Sequence, residues 1–195
     1  MKKIVIITIV ICLLVLGVFI YWFFLPKEIE HEIVEETNGY VLLSNASDYE
    51  KELFGSLNEE MDQEEKAKLI FQLFLANFYS LELANSKNDI RGVQFVYEPF
   101  QEDFIKLAKE QIYFAVPNNY FNKRSQKLPM IKEVKVEEII ESEFVMTENT
   151  FSSYIVRGEL IYENFPGFRE EIELEIIVNS EKLEVVKMTS FLSNM

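Results

Sequence analysis

The sequence has one cysteine, Cys12, and one histidine, His31, in 195 residues. A lone cysteine closes no disulfide within the chain. With no second histidine and no cysteine beyond residue 12, a cysteine or multi-histidine zinc site, thiol catalysis and a serine–histidine triad all lack their residues. No P-loop, no G-x-G-x-x-G and no EF-hand spacing occurs. Positive charge is also short: 19 Lys and Arg face 33 Asp and Glu, a formal net charge of −14. Lys2, Lys3 and Lys27 precede every acid, so residues 28–195 carry 16 basic against 33 acidic groups, or −17. Such a surface repels nucleic acid and disfavours lying flat on anionic lipid. Carboxylates are so abundant that adjacent pairs say nothing about two-carboxylate glycosidase chemistry. The acidic run 58–65 reads as a solvated helix start whose acids favour the helix dipole. No metal, no cofactor, no nucleic-acid partner and no enzymatic activity are expected.

What the sequence does have is an uncharged run from Ile4 to Leu25, IVIITIVICLLVLGVFIYWFFL. At about 1.5 Å per residue it is long enough to cross a hydrocarbon core of about 30 Å. Lys2 and Lys3 hold the start in the cytoplasm by the positive-inside rule, and Tyr21, Trp22, Phe23 and Phe24 suit the outer interface. A cleaved signal peptide fits less well, because the run is long and Phe24-Leu25-Pro26-Lys27 offers no small-x-small site. Cys12 lies mid-run behind Ile11, which does not suit a lipoprotein site. The expected organisation is a cytoplasmic start and transmembrane anchor at 1–27, a juxtamembrane stalk at 28–46, and an extracytoplasmic domain at 47–195. The bilayer is then a partner through residues 4–25. Residues 27–38 read as a stalk or a short strand, and His31 as a solvated linker residue within them.

Beyond the stalk the periodicities are clear. Asn38-Gly39 marks a turn. Ser47-Asp48-Tyr49-Glu50 and Asp62-Gln63-Glu64-Glu65 fit capping boxes. The second opens a helix over about 62–83, with Ala67, Ile70, Phe71, Phe74, Phe78 and Leu81 at three- and four-residue steps and apolar residues nearly all round. Ile90 to Tyr97 reads as a strand with Gly92 as a bulge. Pro99 opens a further helix to about Ala115. From Met130 the period changes to two, and four strands follow: 131–146 with a slip at Glu137-Glu138, 151–163, 168–178 and 183–192. Their short connections imply an antiparallel meander with a glutamate-rich solvated face.

The fold class is therefore α+β: an N-terminal transmembrane helix, then helices packed on a curved antiparallel sheet. This order resembles the nuclear transport factor 2-like (cystatin-like α+β roll) architecture. Among membrane-anchored forms it is similar to the type IV secretion inner-membrane assembly factor, the eighth VirB component, and its relatives in conjugation systems of single-membrane bacteria. The resemblance rests on Leu25-Pro26-Lys27-Glu28 outside the membrane, Asn38-Gly39 before the helices, and the strand run from Ile131 to Leu192. The family's Asn-Pro-x-Gly turn before its last strand has its nearest counterpart at Asn164-Phe165-Pro166-Gly167, before the penultimate one. The resemblance implies a non-enzymatic assembly or scaffold protein of the cell envelope with protein partners or self-association, as in a secretion or conjugation subunit. A roll over helices often leaves a cone-shaped cavity. Phe74, Phe78, Phe95, Tyr97, Phe104, Tyr113, Tyr154 and Tyr162 are the candidates to line one, which would make the domain a tethered binding module for a small apolar or envelope-derived ligand. Lys123, Arg124 and Lys127 form the one basic cluster and a candidate docking patch for an acidic partner.

Overall fold

The structure is a computed structural model that describes residues 12, 14–18, 31–58, 60–119, 124–147, 149–180 and 182–191. The chain divides into two units, Met1–Glu30 and His31–Met195. In the first, residues 12 and 14–18 are helical. No helix among the described residues is long and apolar enough to cross a membrane. Most of the expected span at 4–25 lies outside the described residues.

The second unit opens with a hairpin, β1 (Ile33–Thr37) and β2 (Tyr40–Leu43). Asn38 and Gly39 take positive φ, 50° and 73°, which lets two residues reverse the chain. Residues expected as a stalk are thus folded here: Tyr40 is fully buried and Leu42 joins the same core. His31 is not solvated either. Its Nε2 lies 2.7 Å from Asp89 Oδ1, with both side chains largely covered.

Helix α1 (Asp48–Gly55) starts from Ser47, whose Oγ accepts from Glu50 N while Glu50 Oε2 accepts from Ser47 N. Both halves of the expected box therefore form. Helix α2 (Gln63–Tyr79) is capped by Asp62, which accepts from Glu65 N at 2.9 Å. Eleven of its residues are buried, including Ile70, Phe71, Phe74, Leu75 and Phe78, because it lies against the sheet on one side and α1 on the other. Each such side chain contributes about 1.5–3 kcal/mol by leaving water. A short 3-10 turn at Glu98–Phe100 then leads into α3 (Gln101–Gln111).

Residues 90–97 are not the expected strand. Gly92 turns the chain at φ 82°, Val93–Phe95 is a single 3-10 turn, and only Val96 makes a bridge, parallel to Val185. Side chains overrode the alternation. Arg91 turns inward to a buried carboxylate, and the Gln94 amide pairs with both backbone groups of Val41, at 2.7 and 2.9 Å.

The main sheet is an antiparallel meander in the order β3 (Ile131–Met146), β4 (Asn149–Tyr162), β5 (Arg169–Asn179), β6 (Lys182–Phe191). The slip expected at Glu137-Glu138 is present as a register shift between Val136 and Glu138. Further shifts fall between Ile131 and Glu133 in β3 and opposite Glu175/Ile176 in β6. Gly158 sits beside the shift at Val136. A Cβ there would stand 2.1 Å from Lys135 O and 2.8 Å from the Phe71 ring, so the close approach of β3, β4 and α2 depends on glycine. On β5, Ile172, Leu174 and Ile176 face the core while Arg169, Glu171, Glu173 and Glu175 alternate with them. The architecture is α+β, helices on one face of an antiparallel sheet.

Candidate functional site

A cleft opens between α3 and β6. Pro99 in the 3-10 turn and the Gln101 side-chain bond to Val96 O, at 3.0 Å, set the start of α3. From there α3 turns Phe104, Leu107, Ala108 and Ile112 toward β6, over the rings of Phe74 and Phe78 from α2. The side chains do not meet. They leave a cavity of about 310 Å³, walled on the strand side by Val185, Val186 and Met188. Past Gln111, Ile112 and Met188 the cleft continues into a second recess of about 660 Å³ toward Tyr162, Phe165 and Phe168. Leu107 is 50% exposed on one wall, and Phe165 and Phe168 are 41% and 50% exposed at the far end. A lining of this kind, open to solvent, is the usual character of a binding site.

One carboxylate belongs to the cleft. Among the described residues, Glu170 is the only charged one lining the second recess. Stepping back by two from Ile172 keeps the core-facing phase of β5, so Glu170 sits on the apolar face of the sheet. Tyr162 Oη donates to its Oε2 at 3.2 Å. Burial pushes the Glu170 carboxyl above its ordinary range, offset in part by that hydrogen bond. Tyr79 and Tyr162 are likewise pushed up by burial first and by the Glu170 charge second. Carboxylates held half-buried in clefts are frequent functional groups.

The eight aromatics expected to line one cone are divided among several places. Phe74, Phe78 and Phe104 line the first cavity, with ring centroids 5.0–5.9 Å apart, and Tyr162 lines the second. Phe95 is buried beneath, stacked on Tyr40 at 5.2 Å. Tyr113 is fully buried and donates to Phe78 O at 2.8 Å, so it is core. Tyr97 packs on Phe100 and Phe151 instead. Tyr154 borders a separate recess with Gln63 and Glu141. Of the residues that complete the cleft, Leu107 and Ile112 belong to the apolar face predicted for the helix that Pro99 opens, while Met188 and Glu170 are not among the sequence candidates. Glu170 was legible in principle, as the one acid in phase with Ile172, Leu174 and Ile176.

Of the basic cluster, Arg124 and Lys127 lie among the described residues. Arg124 turns inward, its side chain 3% exposed, and donates to Ala84 O and Glu82 O at the end of a 3-10 turn. Lys127 is exposed, and Lys123 lies outside the described residues.

A second polar group is structural in character. Arg91 and Glu50, 3% and 1% exposed, pair at 3.1 Å. Asn77 Nδ2 donates to Glu50, Arg91 Nη1 donates to Asn45 Oδ1, and Arg91 Nε donates to Asn77 O. Each charge is thus paired and hydrogen-bonded, the condition for leaving water. Among the described residues no group of three or more His, Cys, Asp or Glu could hold a metal ion. Compared with protein-family models, with curated proteins and with solved structures, the chain matches none.

Proposed function

We propose that this chain is a single-pass, membrane-tethered, non-enzymatic binding module whose extracytoplasmic α+β roll takes an apolar ligand in the α3–β6 cleft. The observation that carries the reading is the cleft itself: two connected recesses lined by Phe, Leu, Ile and Met, with Leu107, Phe165 and Phe168 left in contact with solvent. The uncharged run Ile4 to Leu25, with Lys2 and Lys3 before it and an acidic stretch following Lys27, supports the tether and the orientation. An assembly or scaffold role in the envelope, as the resemblance to the secretion subunits implies, follows where the occupant belongs to another envelope protein.

The test places a photo-crosslinking phenylalanine at Leu107 or Phe168 of the full chain in intact membranes. A control carries it at Glu171, on the outward phase of β5. Adducts from both cleft positions and none from the control are expected. Equal labelling at all three, or none at either cleft position, would overturn the reading.

A further inference from the structure

The wall of the cleft formed by β6 is a sheet edge, and the edge is only half used. At its start Tyr40 Oη both donates to Leu183 O at 2.6 Å and accepts from Leu183 N at 3.0 Å. One step on, Val96 bridges Val185 in parallel, and Tyr97 N donates to Val185 O at 3.0 Å. Beyond Val185, among the described residues, no strand pairs with that edge. Alternate residues there turn their N–H and C=O groups away from β5, toward the cleft. Val186 and Met188 line the first recess, and Met188 and Ser190 line the second. An acyl chain would fill the apolar volume but leave those backbone groups without partners. An extended peptide satisfies both.

We propose that the α3–β6 cleft binds an extended segment of another polypeptide, added parallel to β6 where the Val96 bridge leaves off, with alternate apolar side chains between Ile112 and Met188 and a basic residue at its C-terminal end against Glu170. The polarity follows from the register. β6 runs from the Val96 end of the cleft toward its last pair, Phe191 with Glu171, and Glu170 lies one residue further along β5. A parallel segment therefore ends at Glu170. At the other end Asp103 and Lys187 border the cleft with opposite charges, which gives no comparable preference. The charge of −17 beyond residue 27 draws the same kind of partner by its long-range field. Backbone pairing supplies affinity in such strand addition, and alternate side chains supply specificity.

This inference rests on the cleft being a binding site, and the test separates the two. The full chain in phosphatidylcholine discs is titrated with fluorescein-labelled Val-Ser-Val-Ser-Val-Lys, and with the same peptide ending in Glu. The Lys peptide is expected to bind about tenfold more tightly, a difference of about 1.4 kcal/mol, and Glu170→Gln is expected to erase the preference while both peptides still bind. N-methylation of alternate residues is expected to weaken binding by about tenfold or more in one phase and little in the other, because only one phase faces the strand. That readout needs no variant of the protein. Equal binding of both peptides together with indifference to N-methylation would overturn the inference. Lipid-mass adducts, or adducts of twice the chain's mass, from the crosslinker at Leu107 would overturn it too, while leaving the cleft a binding site for acyl chains or for a second copy.

Discussion

Glu170 places a carboxyl on a sheet face otherwise occupied by Ile172, Leu174 and Ile176. Burial raises its carboxyl above the ordinary 4.5, so between that value and its own folded-state pKa the folded chain holds a proton that the unfolded chain has lost. Stability is therefore greatest below this window and falls as pH rises through it. Glu170→Gln keeps a hydrogen-bond acceptor for Tyr162 and removes the charge. The variant is expected to be the more stable at neutral pH, with the difference vanishing in acid, as read from urea midpoints across pH. Gly158 gives a second test at the same scale. Gly158→Ala presses a methyl into Lys135 O and the Phe71 ring, and a loss of about 1–3 kcal/mol is expected from urea unfolding. The Arg91–Glu50 pair gives a third. Arg91→Met leaves Glu50 buried without its cation and should cost about 3–5 kcal/mol. Arg91→Met combined with Glu50→Leu should cost less than Arg91→Met alone, because no unpaired charge remains.

Among the elements, β3 to β6 and α2 are the most legible in sequence, and the reason is physical. A strand with one solvated face must alternate, as Ile172, Leu174 and Ile176 do against Glu171, Glu173 and Glu175. A helix buried on several sides must be apolar nearly all round, as Ile70 to Phe78 is. Ser47 and Asp62 announce their helices because orphan N–H groups need acceptors close in sequence. The misread segments are those settled by distant partners. Residues 90–97 alternate like a strand, yet Arg91 answers to Glu50 and Gln94 to Val41. The stretch 27–38 reads equally as a stalk or a short strand, and the choice is made by Tyr40, which reaches Leu183, 143 positions away. The cleft was half legible: Phe74, Phe78 and Phe104 mark its floor, but the gap above them depends on how far α3 stands from β6. Tyr40→Phe tests the hairpin's hold on the sheet. Leu183 would lose the partner of both its backbone groups, a cost of about 1–3 kcal/mol, and faster amide exchange is expected at Leu183 than at Ile176 in the centre of the sheet.

At the scale of the whole molecule, the proposed topology makes a simple demand on fractionation. The full chain should stay with the membrane pellet through alkaline carbonate, and a carboxy-terminal tag should react with reagents that do not enter the cell. A soluble chain or a shielded tag would refute the tethered, extracytoplasmic reading. The sheet also has a symmetry of protection. At one margin Tyr40 engages the N–H and C=O of Leu183. At the other, Tyr49 Oη accepts from Val134 N at 3.0 Å, and Gln72 Nε2 donates to Val134 O at 2.9 Å. Two phenolic hydroxyls thus sit where the first residues of a neighbouring strand would dock, one on each side. On the proposed tethered topology the chain would meet its copies at high local concentration, where bare strand margins pair readily. Each tyrosine engages one residue of its margin, and among the described residues no strand pairs with Val186 to Ser190 on β6 or with the outer edge of β3 beyond Val134. Removing both hydroxyls should increase strand-to-strand association of the chain, read as a rise in light scattering relative to the parent protein.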